Sequence, residues 1–496
     1  MNMNYWLPLM IPMTSLLAGI GIFFLREESR TLRTVFNLGS ALLKIALVGW
    51  LLWGVYHQGL YVFRFPLFAN FEIVLHADEL SLLFVSLSAT LWLVTTVYAI
   101  GYLEGSPNRS RFFGFFSLCV SATTSIALAG NLFTFLVSYE LLTLTTYPLV
   151  IHRQTKEALD AGRVYLVYTL GGGAVLLLAM VWLSATVGAV DFQTGGILGE
   201  VGSAYDTHLL LAFVMLIVGF GVKSALVPLH GWLPVAMIAP APVSALLHAV
   251  AVVKAGAFGI VRVVYDVYGV ERCASMQVMG WLAGAATITI LYGSLRALFQ
   301  DDFKRRLAYS TVSQLSYIIL GVAVLGPLAT VGGIAHLVHQ GIMKITMFFC
   351  AGNVAECLHI TRISQMNGVG RRLPWTMSAF TVATLGMIGV PPLAGFLSKW
   401  YLGAGALQAG QPWVIAVLLL SSALNAAYFL PIVYRVWFLE PSFADTPRHG
   451  RFELHPYLLF PPLVTAAFVI LAGLLAGLPY SPLQWARLIA LREYGL

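Results

Sequence analysis

Apolar runs of about 20 residues, enough for a helix to span the hydrocarbon of a bilayer, recur along the whole chain between short polar stretches. They fall near 5–25, 34–56, 78–102, 112–129, 131–150, 163–188, 207–227, 240–264, 275–298, 306–325, 330–355, 375–404, 411–438 and 456–478. This pattern predicts an all-α polytopic membrane protein with about 14 transmembrane helices. Met1 to Phe24 has no basic n-region and no small-residue cleavage site, so it reads as a first membrane helix and not as a removed signal.

Basic residues then orient the helices, because cytoplasmic loops carry an excess of Lys and Arg. With the N-terminus outside, alternate loops carry Arg26, Arg30 and Arg33; Arg109 and Arg111; Arg153, Lys156 and Arg163; Arg296, Lys304, Arg305 and Arg306. The later ones carry Arg362, Arg371 and Arg372, then Arg435, Arg448 and Arg451. Only Arg64, Arg272, Arg487 and Arg492 fall outside, and the outer loop from Asp191 to Asp206 is purely acidic. Both termini are therefore expected outside, as an even number of helices requires.

Composition agrees with the pattern: of 496 residues 59% are hydrophobic and 10% charged, with mean hydropathy +0.84, where a soluble domain carries about 25% charged residues. The net charge of +7 belongs to membrane sidedness, so no nucleic-acid partner is expected; the partner is the lipid bilayer. Cys119, Cys273, Cys350 and Cys357 form no CxxC and no metal-ligand spacing and read as apolar filler. There is no Walker motif, haem motif or dinucleotide fingerprint either. No cofactor, no metal and no catalytic chemistry are expected in this chain alone.

The exceptions to apolarity carry the chemistry. Lys44, Lys223, Lys254, Arg262, Lys344 and Lys399 lie within apolar runs, and Glu140 is the one acid near mid-span. A lysine at the bilayer centre costs roughly 2.5–3.5 kcal/mol on insertion scales and is a functional-site hypothesis by default. Glu140 and an intramembrane lysine are each other's expected partners, a static salt bridge being the bland alternative. Arg262, near a helix end, is expected to snorkel; Lys44, with no polar neighbour at helical spacing, is expected to snorkel or pair locally.

Two spans are interrupted. Pro228 follows Lys223 by five residues, and Pro391 and Pro392 precede Lys399 in GMIGVPPLAGFLSKW. A helix-interior proline removes one backbone bond and displaces a carbonyl, and freed backbone at membrane depth is tolerated only in protein or a wet cavity. Interrupted segments in corresponding places of two halves point to a transporter built from inverted repeats: helices 4–8 and helices 9–13, with helices 7 and 12 broken. The corresponding segments are 1–105, 106–268, 269–440 and 441–496. In HLVHQGIMKITMFF, His336, Gln340 and Lys344 fall on one helical face with His339 nearby, and His248 precedes Lys254 by six residues. Buried Lys, His and Glu can exchange protons near neutral pH, as a proton relay requires. The run DDFKRR at 301–306 reads as an interfacial anchor.

SYELLTLTTYPLV around Glu140, GVKSALVPLHGWLPVAMIAPAPVSALLHAVAVVKAG, DDFKRRLAYSTVSQLSY, HLVHQGIMKITMFFCAG and GVPPLAGFLSKW together resemble the antiporter-like subunit family. That family includes large membrane subunits of respiratory complex I, of membrane-bound hydrogenases and of Mrp-type sodium/proton antiporters. The resemblance runs from about Asp78 to Trp400. It implies a proton pathway from Glu140 on helix five and Lys223 on broken helix seven, through Lys254 with His248, and Lys344 with His336, to Lys399 on broken helix twelve. Changing the Glu140–Lys223 separation would drive the lysine's proton onward. Lys399 is similar to the Mrp D and complex I N and L types, and the resemblance implies a type without the long lateral helix of the L and Mrp A types. Where many members have histidine this chain has Gln340, so the link there must use His336, His339 or water.

The resulting expectation is a proton-translocating subunit within a hetero-oligomeric membrane complex, first of an Mrp-type Na+/H+ antiporter. The alternatives are a complex I-like or hydrogenase-linked redox pump and the membrane partner of an inorganic-carbon uptake system. A scaffold whose polar residues merely hold helices together is the reading of a different class.

Overall fold

The computed structural model describes residues 3–68, 71–199, 201–441 and 453–496; the basic residues Arg448 and Arg451 lie outside them. Eleven helices among the described residues are long and apolar enough to cross a membrane, so the chain is a multi-pass helical membrane protein. Side-chain caps start several of them: Asp78 accepts from Ser81 N at 2.7 Å, Asn131 from Thr134 N at 2.8 Å and Asp302 from Arg305 N at 2.8 Å. Each satisfies a backbone donor that a helix start leaves open.

Two helices form the centre. Ala241–Tyr268 is buried along its whole length, and Pro327–Leu358 is buried from Ala329 to Val354. Around them stand helices with one apolar face exposed, as at Leu42, Trp50, Val167, Leu177 and Leu419, the face that lipid solvates. The central helix widens to π-helical turns at Leu246–Val250 and Val263–Tyr268, an irregularity frequent at functional positions.

Both expected interruptions are present. Asp206–Lys223 stops at Lys223, and the chain turns through the 224–231 segment before the short helix Trp232–Val235. The Val222 carbonyl freed there accepts from the Trp232 indole at 2.7 Å. Pro374–Ile388 stops at Gly389, whose φ of +98° needs a residue without Cβ, and Ala394–Gln408 follows Pro391 and Pro392.

Three sequence expectations change. Between the second and third long helices an antiparallel hairpin pairs Val62–Phe68 with Phe71–His76, Val62 opposite His76, so the chain is not wholly helical. Its aromatic and β-branched residues, Val62, Phe63, Phe65, Phe71, Ile73 and Val74, suit a strand, and His76 N to Leu128 O at 2.7 Å and Gly130 N to Val74 O at 2.8 Å tie it across the helix ends. Arg262 does not snorkel: it is 1% exposed and bound to Asp78 and Asp266, because carboxylates inside the fold are nearer than water. Part of the DDFKRR run, Lys304 and Arg306, turns inward, while Asp301 and Arg305 stay exposed. Arg306 donates to Tyr428 O at 2.8 Å and Gln300 O at 2.5 Å, and Lys304 to Ala239 O at 2.5 Å. These basic groups cap backbone carbonyls between helices.

Candidate proton pathway

Lys223 ends its half-helix fully buried. Its ammonium donates to the Tyr139 carbonyl and rests 3.3 Å from the centroid of the Tyr139 ring. Glu140, the next residue on Leu132–Val150, is half-buried, and its Oε1 is enclosed without a hydrogen-bond partner. No ion pair closes between Glu140 and Lys223 here; the two expected partners stand side by side with the lysine held one residue short. Glu140 lies against Gly173 of Lys156–Val187, where any Cβ would collide with the carboxyl.

The Lys254 helix abuts this break. At Gly256 a Cβ would collide with the Ser224 amide and lie 2.8 Å from the Lys223 carbonyl carbon, so only glycine lets the two backbones touch. Lys254 donates to Leu337 O at 2.7 Å and to Gln340 Oε1. Gln340 is thus the direct partner of the central lysine.

One turn along the same helix His336 exchanges a hydrogen bond with Ser398 Oγ at 2.8 Å through Nδ1 and stacks on Tyr317 at 5.2 Å. Ser398 precedes Lys399. The Lys399 ammonium donates to Met387 O at 3.0 Å, Ile388 O at 2.9 Å and Ser422 Oγ at 2.9 Å, and stands 5.5 Å from the Tyr317 ring. It therefore binds carbonyls at the end of the interrupted half-helix, where the helix dipole favours a cation. An apolar-walled cleft lined by Phe396, Trp400 and Leu418 opens beside it.

The chain belongs to the NADH:quinone oxidoreductase/Mrp antiporter transmembrane family. The model of that description matches residues 129–425, and one described as NADH-ubiquinone oxidoreductase (complex I), chain 5 N-terminus, matches 68–113. The N subunit of NADH-quinone oxidoreductase from Desulforudis audaxviator is 36% identical over 84% of both chains. The D-type subunit of the Na(+)/H(+) antiporter of Bacillus subtilis is 27% identical over 96% of this chain and 94% of its own. Hydrogenase-4 component B of Escherichia coli is 31% identical over 83% of this chain, which spans only 64% of that relative. In fold, a chain of the Mrp complex from Dietzia sp. superposes with TM-score 0.85, at 24% identity over 100% of this chain and 98% of that one.

The matched range 129–425 includes the row just described, but not every expected member joins it. Lys344 turns to Ser310 Oγ and Leu307 O at 3.3 Å, with the Phe429 ring 5.5 Å away. His248 packs on Phe348 at 4.5 Å and does not bond Lys254; both its nitrogens, both of His339 and Nε2 of His336 are buried without protein partners. So are Gln314 and the Tyr317 hydroxyl. Buried polar atoms are nearly always hydrogen-bonded, so this neighbourhood suits water that bridges the lysines. Sequence alone does not single out Tyr139, Ser310, Tyr317 or Ser398. The polar repeat Ser310, Ser313, Gln314 and Tyr317 and the Ser–Lys pair at 398–399 are the signals it offers. Among the described residues no group of three or more His, Cys, Asp or Glu is placed to hold a metal.

Lys44 pairs locally and does not snorkel. It is fully buried and donates to Ser15 Oγ at 2.6 Å and Thr124 Oγ1 at 3.3 Å, beneath Trp92 at 4.8 Å.

Proposed function

We propose that this antiporter-like membrane subunit moves protons along the buried row from Glu140 and Lys223 through Lys254, Gln340, His336 and Ser398 to Lys399, as the D-type subunit of a multisubunit Mrp-like Na+/H+ antiporter. The observation that carries the reading is the contact of Lys254 with Gln340 and of His336 with the Ser398–Lys399 segment, which joins both helix interruptions through the central helix pair. Lys223 resting on the Tyr139 carbonyl, beside an unpartnered Glu140 oxygen, supports a switch. Closing the pair would hold the lysine's proton; opening it would release the proton towards Lys254. Lys344, His248 and His339 border the same wet region and serve as branch points. The cleft at Lys399 suits continuation into a neighbouring subunit.

Counting Arg109–Ala127, Phe303–Ala323 and the two-part Pro374–Ile388/Ala394–Gln408 with the eleven long spans accommodates fourteen crossings. Inverted repeats over helices 4–8 and 9–13, a bacterial inner membrane and outside termini complete the proposal. Likeness over nearly the full length of a D-type Na(+)/H(+) antiporter subunit supports the antiporter assignment. The higher identity to an N subunit of NADH-quinone oxidoreductase favours, as second reading, the same relay driven by a redox complex.

The test is proton flux in vesicles carrying the native complex, with and without sodium, for wild type, Lys223→Ala and Glu140→Ala. Loss of flux in both variants with assembly intact is expected, and sodium dependence decides between the two drivers. Flux that survives both substitutions makes the charges structural and ends the relay reading.

A further inference from the structure

A second buried charge cluster lies away from this row, where the last helix, Pro482–Tyr494, meets the ends of the third and the central helices. Arg262 donates to both Asp78 oxygens at 2.6 and 2.9 Å and to Asp266 at 2.9 Å. Arg492 reaches Asp78 at 3.2 Å, Glu79 at 2.9 Å and Asp266 at 3.2 Å, and also Glu493. Glu79 is a third exposed and is screened by solvent. That leaves three buried carboxyls, Asp78, Asp266 and Glu493, against two buried guanidinium groups.

One negative charge is therefore in excess among side chains of which the most exposed, Arg492, is only 16% open to solvent, and an uncompensated buried charge is expelled or neutralised. Glu493 is the carboxyl where neutralisation falls. Its side chain is fully buried, Oε1 takes both contacts from Arg492, and Oε2 has no partner. Asp78, by contrast, has both oxygens on guanidinium and a backbone amide. Burial, with Asp266 beside it, pushes the Glu493 carboxyl up to about 7 against the pull of Arg492.

A hydroxyl chain leads from Glu493's neighbour towards the lysine row. The Tyr494 hydroxyl is 3.1 Å from Thr330 Oγ1, which is 2.7 Å from the Tyr265 hydroxyl. Thr330 lies six residues from His336 on the same helix, about 9 Å along its axis. Hydroxyl groups both donate and accept and so can pass a proton. His76 is the other titratable group near the cluster; burial lowers its pKa, and Arg262 and Arg492 add to this against the opposing pull of Asp78 and Asp266.

We propose that Glu493 is an exchangeable proton site at the outer end of the central helix pair, connected to the lysine row through Tyr494, Thr330 and Tyr265. This rests on the proton-translocation reading above, but the protonated carboxyl exists whether or not protons flow through it.

Two measurements on the assembled complex keep those questions apart. Infrared spectroscopy across pH should show a protonated-carboxyl stretch that titrates near neutrality and is lost in Glu493→Gln; its absence from wild type, or its survival in the variant, overturns the assignment. In vesicles, Glu493→Gln and Thr330→Val should each lose most of the flux, while Glu493→Asp restores it and its pH profile shifts. If Lys223→Ala abolishes flux and Thr330→Val does not, the path fails while the lysine relay stands. Should Glu493→Gln not assemble, Thr330→Val, which touches no ion pair, still decides the path, and Glu493→Asp, which should shift the stretch and its titration, decides the proton; an unshifted stretch overturns the assignment.

Discussion

At the scale of the residue, the interior lysines divide by what holds them. Lys223, Lys254 and Lys399 bind backbone carbonyls, and Lys254 also the glutamine of a neighbouring helix, acceptors that serve an ammonium. Lys44 has only two hydroxyls and an indole face in an otherwise apolar enclosure. Taking a charge out of water costs several kcal/mol, which only excellent partners repay, and two hydroxyls repay little of it. Lys44→Met should therefore leave proton flux unchanged and raise the unfolding temperature in detergent or leave it level. A fall in flux would place Lys44 in the pathway.

At the scale of the element, the two interruptions do what an uninterrupted helix could not. Each frees carbonyls at depth, and a tryptophan indole or a lysine from beyond the break binds them. Small residues let neighbouring helices reach these points, as at Gly256 against Ser224 and Gly173 against Glu140. The two glycines differ in what they touch. A Cβ at Gly256 meets backbone, so Gly256→Ala must move a helix; a Cβ at Gly173 meets only the far end of a side chain. Gly173→Ala is accordingly expected to cost no more than the roughly 1–3 kcal/mol of a modestly overpacked site while displacing the Glu140 carboxyl. Flux measured in vesicles should fall as it does in Glu140→Ala, with the complex still assembled. Wild-type flux in Gly173→Ala would show that the position of Glu140 is immaterial.

At the scale of the whole molecule, the C-terminal helix is fastened by ions to segments more than 200 residues away, through Arg492 to Asp78, Glu79 and Asp266. Stability should then depend on pH in two windows of opposite sign. Burial raises the Asp78 carboxyl, but Arg262 and Arg492 outweigh it and hold it well below its ordinary 3.8, so its contribution is present above that value and is lost as acid protonates it. Glu493 is raised from 4.5 to about 7. The folded state holds that proton more tightly than the unfolded chain, and the resulting stability is complete below about 4.5 and lost as pH rises through about 7. Relative to wild type, Glu493→Gln should gain on the order of 3 kcal/mol across that window. Thermal unfolding of both proteins over pH checks it, and parallel curves would contradict it.

Much of this architecture was legible in the chain. The 20-residue apolar period, the two proline interruptions and the interior lysines all depend on local sequence or on the cost of polarity in lipid. So does the shared face of His336, Gln340 and Lys344, which the helical period alone dictates. Tertiary structure decided the pairings: Lys223 on the Tyr139 carbonyl instead of Glu140, Lys254 on Gln340, and Arg262 on Asp78 and Asp266 instead of at the water interface. The physical reason is that helix periodicity determines which residues share a face, whereas a hydrogen bond depends on distances of a few tenths of an ångström between faces far apart in sequence. Those distances are set only when the helices pack.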